Sequence, residues 1–209
     1  MHDTATYSRA RTRFTRFSFF IEIARSGSED LRKPARPEEF LRSPYEFQKC
    51  CVLLDGSYID SISTNRQFDF IKFASAMRQN YSVTNFVYFS LVPRYEEIFP
   101  KRRLLDWLSY NGYIVREKHA KMPFSQSPTG LRGSLSLEIA ISALEACDNT
   151  DGFVLATNDS DMCAAIRALQ KRTKWVALVG GVADTAPWLD DELRRTADIC
   201  LPLDPMMKA

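Results

Sequence analysis

Histidine, paired cysteine and long apolar runs are all scarce in this sequence. His2 and His119 are the only histidines, which leaves almost no material for a zinc site or a histidine-based catalytic triad. The five cysteines include no Cys-x-x-Cys pair, and three lie inside apolar runs, as expected of a reduced, cytoplasmic protein. No stretch reaches the roughly 18 apolar residues of a membrane span, so we expect no membrane partner.

Net charge is also small, at a formal +2, and it is unevenly distributed. Arginines concentrate near the N-terminus, whereas the rest of the chain is close to neutral. Any affinity for nucleic acid would therefore come from local patches, because no general positive field covers the body. The arginine-rich start superficially resembles a transit peptide, but Glu22 interrupts the apolar run that follows and no cleavage signal is present.

The sequence divides into a basic N-terminal extension with its linker, residues 1–45, and one compact domain, residues 46–209. Residues 26–44 are polar and broken by three prolines, which is typical of a linker. Cations and aromatics alternate over residues 9–17, a pattern that suits single-stranded RNA. Residues 17–23 alternate like an added edge strand. The partner of the extension stays open between RNA, a second copy of the chain and another protein.

Strand and helix patterns alternate through the compact domain. Apolar runs predict strands at 50–55, 85–91, 113–116, 153–156, 175–179 and 199–203. Apolar residues spaced by three and four predict helices around 70–77, 104–108, 135–147 and 162–169. This alternation predicts an α/β fold with a doubly wound, mainly parallel sheet flanked by helices. Such sheets bind ligands outside the carboxyl ends of their strands.

Three aspartates follow two of these predicted buried strands. Asp55 ends the first strand, directly before Gly56, and Asp159 and Asp161 follow the strand at 153–156. Each of the latter two could simply cap the next helix by accepting a backbone N–H. Together with Asp55, however, they favour a shared site for Mg²⁺ or Mn²⁺, because magnesium prefers oxygen ligands and keeps several waters.

At these residues the sequence resembles the NYN domain family of PIN-like nucleases, in particular its bacterial LabA-like branch. Residues 52–57, Val-Leu-Leu-Asp-Gly-Ser, are similar to the opening strand of the family, Ile-Asp-Gly-x-Asn. Residues 157–162, Thr-Asn-Asp-Ser-Asp-Met, resemble its Ser-Gly-Asp-x-Asp-Phe. Similar segments occur at 104–113, 132–144 and 190–198. The resemblance covers residues 50–203 and implies a PIN-like fold and a metal-dependent ribonuclease site.

The sequence also departs from the family pattern at three positions. Ser136 and Ser142 stand where the family usually has aspartates on its central helix, and Tyr58 replaces the asparagine beside the first aspartate. Serine hydroxyls bring no charge to offset the dehydration of a cation, so the resulting site is poor in acid. Two interpretations of Glu138 stay open. It either joins Asp55, Asp159 and Asp161 as a metal ligand and catalytic carboxylate, or it is a solvated residue on the surface of the helix.

A loop rich in cations precedes the segment at 132–144. Lys118, Lys121 and Arg132 could contact a phosphate backbone beside the acidic crevice, and Phe124 could stack on a base. Exposed cations also commonly remain solvated, and Phe124 could instead pack on the core.

Two functions therefore compete: an Mg²⁺- or Mn²⁺-dependent ribonuclease, and a catalytically degenerate module that binds RNA or protein. Whether the chain is an enzyme stays undecided at this stage. A haloacid-dehalogenase-like phosphatase is disfavoured, because Ser57 occupies the place of its second aspartate. Dinucleotide binding is disfavoured because Gly180 and Gly181 lack the G-x-G-x-x-G spacing.

Overall fold

The structure is a computed structural model of the 209-residue chain, and it describes residues 45, 47–63, 66–93, 99–120, 134–180 and 189–208. Within these ranges the strands are β1 (Lys49–Asp55), β2 (Ser82–Val92), β3 (Tyr113–His119), β4 (Gly152–Ala156), β5 (Trp175–Gly180) and β6 (Ile199–Pro202). The helices are α1 (Gly56–Ile62), α2 (Phe70–Asn80), α3 (Arg102–Tyr110), α4 (Ser136–Ala146), α5 (Met162–Lys171) and α6 (Asp191–Thr196). Two 3₁₀ turns span Cys147–Asn149 and Asp204–Met206.

The six described strands form one sheet in the order β3-β2-β1-β4-β5-β6, and every neighbouring pair is parallel. The chain moves outward from β1 to β3, then returns beside β1 as β4 and moves outward the other way. Right-handed crossovers therefore place α1–α3 on one face and α4–α6 on the other. This arrangement confirms the predicted doubly wound α/β fold.

The central strands are apolar along their whole length because helices cover both of their faces. All five residues of β4 are buried, and so are all residues of β1 after Lys49. The four cysteines Cys50, Cys51, Cys147 and Cys163 are free and buried, and Cys200 is free and half-buried. Burial raises the pKa of the Cys50 thiol to about 12 and that of the Cys51 thiol to about 11. These cysteines serve the core as small apolar residues.

Helix α2 shows how a local signal and core packing agree. The carboxylate of Asp69 accepts the backbone N–H groups of Ile71 (3.1 Å) and Lys72 (3.0 Å), so it satisfies donors that the first turn leaves free. Phe70, Phe73, Ala74 and Met77 form the buried face of the helix, as their spacing predicts.

The segment before β1 is anchored by an aromatic stack. Tyr45 was assigned to the linker from sequence, but its ring lies parallel to that of Trp175, with centroids 4.9 Å apart. Trp175 also stacks on Tyr81 and donates its ring N–H to Gln48 (2.7 Å). The rest of the predicted extension, including the edge strand predicted at 17–23, lies outside the described residues.

None of the helices in the described part of the chain combines the length and the apolarity that crossing a membrane requires.

Candidate functional site

The candidate site lies at the carboxyl ends of β1 and β4, where the strand order reverses. Helices leave these two neighbouring strands toward opposite faces of the sheet, which opens a crevice between them. Asp55 ends β1, and Thr157 follows β4 directly. Their side chains meet although 102 positions separate them in sequence: the Thr157 hydroxyl donates to Asp55 Oδ2 at 3.3 Å.

Asp55 is both the last residue of a strand and the N-cap of a helix. Its Oδ1 accepts the backbone N–H groups of Ser57 (2.8 Å) and Tyr58 (3.4 Å), and the residue is 7% exposed. Burial raises the pKa of the Asp55 carboxyl above its ordinary value, and the nearby charge of Asp159 raises it further. The hydrogen bonds from Ser57, Tyr58 and Thr157 oppose this shift without cancelling it.

The turn after β4 brings Asp159 next to Asp55 through Thr157. The backbone N–H of Asp159 donates to the Thr157 hydroxyl oxygen (3.3 Å), which in turn donates to Asp55. Asp159 Oδ1 accepts the N–H of Asp161 at 3.0 Å, where α5 is about to begin. Part of the capping role considered for Asp159 is therefore present in the structure.

The first residues of α4 complete a hydrogen-bonded cluster around Asp159. Asp159 Oδ2 accepts the hydroxyl of Ser136 in a short hydrogen bond and the hydroxyl of Ser134 at 3.3 Å. The Ser134 oxygen also accepts the N–H of Ser136 at 3.2 Å. Ser136 is buried although it is polar, because Asp159 satisfies its hydroxyl group. The position that the family resemblance marks as substituted is thus in direct contact with a predicted site aspartate.

Glu138 lies two residues further along the helix than Ser136 and points elsewhere. Its carboxylate oxygens are 2.8 Å and 2.9 Å from Lys118 Nζ, which also donates to the carbonyl of Ser134 (2.6 Å). The sequence leaves Glu138 as either a metal ligand or a solvated helix residue; in the structure it is part-exposed and paired with a cation from β3. The same ion pair ties the predicted RNA contact Lys118 to the start of α4.

Asp161 stands at the N-cap position of α5, but its side chain forms no capping hydrogen bond. It is exposed, and the structure links it to the cluster through its backbone N–H. Ser142 lies half-buried on α4, six residues beyond Ser136.

The sequence analysis did not single out two residues that the structure places near Asp55, Thr157 and Asp60. Thr157 carried a usable signal, because it directly follows a buried strand and bears a hydroxyl group. Asp60 carried no such signal in the sequence. Its carboxylate forms an ion pair with Lys101, which lies just before α3, and only the fold brings these two residues together. Burial raises the pKa of Asp60, and the pairing with Lys101 lowers it in part.

Tyr58 and Tyr88 place two buried hydroxyl groups on the α1 side of the site. Among the described residues neither hydroxyl has a hydrogen-bond partner. Burial raises the pKa of Tyr58 to about 12; burial, Asp60 and Asp55 together raise that of Tyr88. Glycine is required at position 56, because a Cβ atom there would lie 2.4 Å from the Phe89 carbonyl oxygen and 2.9 Å from the Tyr88 hydroxyl.

The donors present do not fit a catalytic magnesium site. Asp55 and Asp159 supply two carboxylates, and each of their four oxygens already accepts an internal hydrogen bond. Burial also raises the pKa of the Asp55 carboxyl. Within the described ranges, no group of three or more histidine, cysteine, aspartate or glutamate residues is arranged to hold a metal ion. Ser136 contributes a neutral oxygen, which cannot offset the dehydration of Mg²⁺ as a carboxylate does.

The remaining predicted contacts, Lys121, Phe124 and Arg132, lie outside the described residues. Their proposed role in binding RNA stays a prediction.

Comparisons with known proteins agree with this architecture. The family model described as NYN domain matches residues 49–204. No curated protein matches the chain in sequence. A crystal structure of a protein of unknown function from Vibrio parahaemolyticus superposes with a TM-score of 0.63 at 19% identity, covering 80% of this chain and 99% of that chain. At this identity the likeness concerns the fold alone.

Proposed function

The chain belongs to the NYN domain family, and we propose that it is a catalytically degenerate member that binds RNA as a regulatory module without hydrolysing it. The family relates the fold to PIN-like nucleases. As part of the proposal, we place the chain in the LabA-like branch and in the cytoplasm, where its free cysteines would stay reduced.

The observation that carries the proposal is the hydrogen bond from Ser136 to Asp159. At this position a carboxylate would add negative charge to the crevice, whereas the serine hydroxyl donates a hydrogen bond to the carboxylate already there. The ion pair between Glu138 and Lys118 removes a further carboxylate from the crevice. Internal donors and an internal cation thus balance the acidic groups.

The RNA part of the proposal is supported by cations at the rim of the crevice. Lys118 is the last residue but one of β3 and pairs with Glu138 of α4, and Lys101 pairs with Asp60 of α1, the helix that Asp55 caps. Both ammonium groups are part-exposed, so they can approach a phosphate oxygen without leaving their carboxylate partners. Phosphate contacts of this kind position a nucleic acid and carry no sequence information.

A second candidate is an Mg²⁺- or Mn²⁺-dependent ribonuclease. It is favoured by the convergence of Asp55 and Asp159 on Thr157, at the place where doubly wound folds bind ligands. In that case the enzyme would work with Asp55 and Asp159 and with fewer carboxylates than its relatives have.

Binding and hydrolysis of a fluorescently labelled single-stranded RNA separate the two candidates. We expect binding by fluorescence anisotropy in EDTA, weakened by salt, and no cleavage when Mg²⁺ or Mn²⁺ is added. Replacing Lys118 with glutamine should reduce the slope of log K against log salt by about 0.7, the value for one phosphate contact to a single strand. The matched control is Lys171→Gln, at an exposed lysine at the end of α5, near the amino ends of the strands and thus at the edge of the sheet opposite the crevice.

Two results would overturn the proposal. Cleavage that depends on Mn²⁺ and is abolished by Asp55→Asn would establish the ribonuclease. Failure of the folded wild-type chain to bind RNA in either condition would remove the RNA role.

A further inference from the structure

Asp60 is an acidic residue in direct contact with Lys101, one of the cations at the rim of the crevice. Lys101 binds Oδ2 of this carboxylate, whereas Oδ1 accepts no hydrogen bond from any residue that the structure describes. The side chains of Asp60 and Lys101 are 31% and 26% exposed, so a ligand can reach both from solvent. A carboxylate repels phosphate groups, and its free oxygen at this place fits a ligand that also offers a hydrogen-bond donor.

We propose that Asp60 accepts a hydrogen bond from the 2′-hydroxyl of an RNA ribose, while Lys101 contacts the 3′-phosphate of the same nucleotide. This inference rests on the proposed RNA binding and adds the group that distinguishes RNA from DNA. In a nucleotide the 2′-oxygen and the 3′-phosphate are attached to neighbouring ribose carbons, so a donor and an anion lie side by side. The ion pair of Asp60 and Lys101 presents the matching acceptor and cation side by side.

The start of α3 favours a phosphate next to Lys101. Lys101, Arg102 and Arg103 are consecutive cations at the amino end of this helix, whose first turn has no acidic residue and no side-chain cap. The amino end of a helix carries partial positive charge, so cations there need nearby anions. Asp60 and Glu117 pair with the first two, whereas Arg103 is exposed and has no acidic partner among the residues described. A phosphate would supply the missing negative charge.

A buried hydroxyl group lies on the same side of α1 as Asp60. The hydroxyl of Tyr88 is 2.9 Å from the point where a Cβ atom of residue 56 would lie, and Asp60 follows Gly56 by about one helical turn. Burial raises the pKa of Tyr88, and the charges of Asp60 and Asp55 raise it further. This hydroxyl has no hydrogen-bond partner within the described ranges. A ligand hydroxyl both donates and accepts, so it suits an unused carboxylate oxygen beside an unused tyrosine hydroxyl.

A base edge fits this place less well than a ribose. Carboxylates also accept hydrogen bonds from the amino groups of bases. The sugar separates a base edge from the phosphates, however, whereas Asp60 is in contact with the cation that would hold the phosphate. The two ligand groups can be separated by experiment, because DNA keeps the bases and lacks the 2′-hydroxyl.

Fluorescence anisotropy with labelled oligouridine and oligodeoxyuridine of equal length, which differ in the 2′-hydroxyl, tests the proposal. The wild-type chain should bind oligouridine at least about tenfold more tightly, the effect of a hydrogen bond to a charged acceptor. Asp60→Ala should lose this preference and bind the two oligonucleotides about equally. Lys101→Gln should weaken binding of both by a similar factor and keep the preference, because both carry the phosphate.

Asp106→Ala is the matched control, since it removes an equal charge from an exposed position on α3. It should keep the preference of the wild-type chain. Circular dichroism checks that the variants fold. A measurement that needs no variant uses the wild-type chain with 2′-O-methyl oligouridine, which cannot donate the hydrogen bond and should bind as weakly as oligodeoxyuridine.

The outcomes separate this proposal from the proposed function. An unchanged preference in Asp60→Ala would overturn the role of Asp60, and so would an equal loss of preference in Asp106→Ala. Equal binding of the two oligonucleotides by the wild-type chain would remove the recognition of ribose and leave RNA binding in place. Absence of binding to either oligonucleotide would remove both proposals.

Discussion

Asp55 offers the sharpest test of the balance between function and stability in the crevice. Its carboxylate caps α1 and accepts the Thr157 hydroxyl, yet burial and Asp159 disfavour its charge. Asparagine at the same position keeps a side-chain oxygen for the cap and carries no charge. We therefore expect Asp55→Asn to be more stable than the wild-type chain at pH 7 and Asp55→Ala to be less stable than Asp55→Asn.

The sign of the pH dependence follows from the raised pKa of Asp55. The folded state holds the proton more tightly than the unfolded state, whose carboxyl keeps its ordinary value of 3.8. The wild-type chain accordingly loses stability as pH rises from below 3.8 through the higher folded pKa. The advantage of Asp55→Asn should be largest above that interval and should shrink as pH falls toward 3.8.

The cost of alanine can be estimated from the contacts that it removes. Losing an N-cap costs about 1 kcal/mol, and losing one buried hydrogen bond costs about 1 kcal/mol more. For a domain of this size, each kcal/mol lowers the melting temperature by about 2–4 °C. Asp55→Ala should therefore melt about 4–8 °C below Asp55→Asn.

Thermal unfolding of the three chains, followed by circular dichroism between pH 4 and pH 8, measures these differences in stability. Asp69→Ala is the matched control, because Asp69 caps α2 in the same way without the burial of Asp55. It should lose about 1 kcal/mol at pH 7. If Asp55→Asn instead destabilised the chain at pH 7 as much as Asp55→Ala, the fold would need the charge of Asp55, and our account of its burial would be wrong.

Two further predictions concern the core. Gly152→Ala should destabilise the domain by about 1–3 kcal/mol, because the added Cβ would lie 2.1 Å from the ring of Trp175. Chemical denaturation measures this loss of stability, and an unchanged midpoint would refute the close approach. Titration of the native chain with a thiol reagent at pH 8 should leave Cys50 and Cys51 unreacted, because burial shields both thiols and raises their pKa to about 12 and about 11. Denaturant should expose both thiols to the reagent. Fast reaction of either cysteine in the native chain would contradict its burial.

The sequence located the strands well, because a strand that is covered on both faces must be apolar throughout. It placed β1 and β4 within a residue of their observed bounds. It began β2 at residue 85, whereas the strand begins at Ser82. The three extra residues are exposed or half-buried and so lack the apolar signal; Thr84 is held instead by a hydrogen bond from its hydroxyl to the Cys50 carbonyl (2.9 Å).

Helix α1 was not predicted, although its signals are present in retrospect. Asp55 was interpreted as a site residue before a glycine turn, but its carboxylate caps a helix that begins immediately at Gly56. One side chain serves both the crevice and the helix, and short helices of seven residues give little periodicity to recognise.

By itself the sequence determined the alternation of strands and helices, and it predicted a site of three aspartates after β1 and β4, of which Asp55 and Asp159 are linked through Thr157. These features depend on apolar periodicity and on the order of elements, which a linear pattern carries directly. The partner of each polar group was decided by the tertiary structure alone: Thr157 for Asp55, Ser136 for Asp159 and Lys118 for Glu138. Periodicity states which residues share a face, but the atoms opposite that face arrive from distant segments, and only the winding of the sheet brings them within hydrogen-bonding distance.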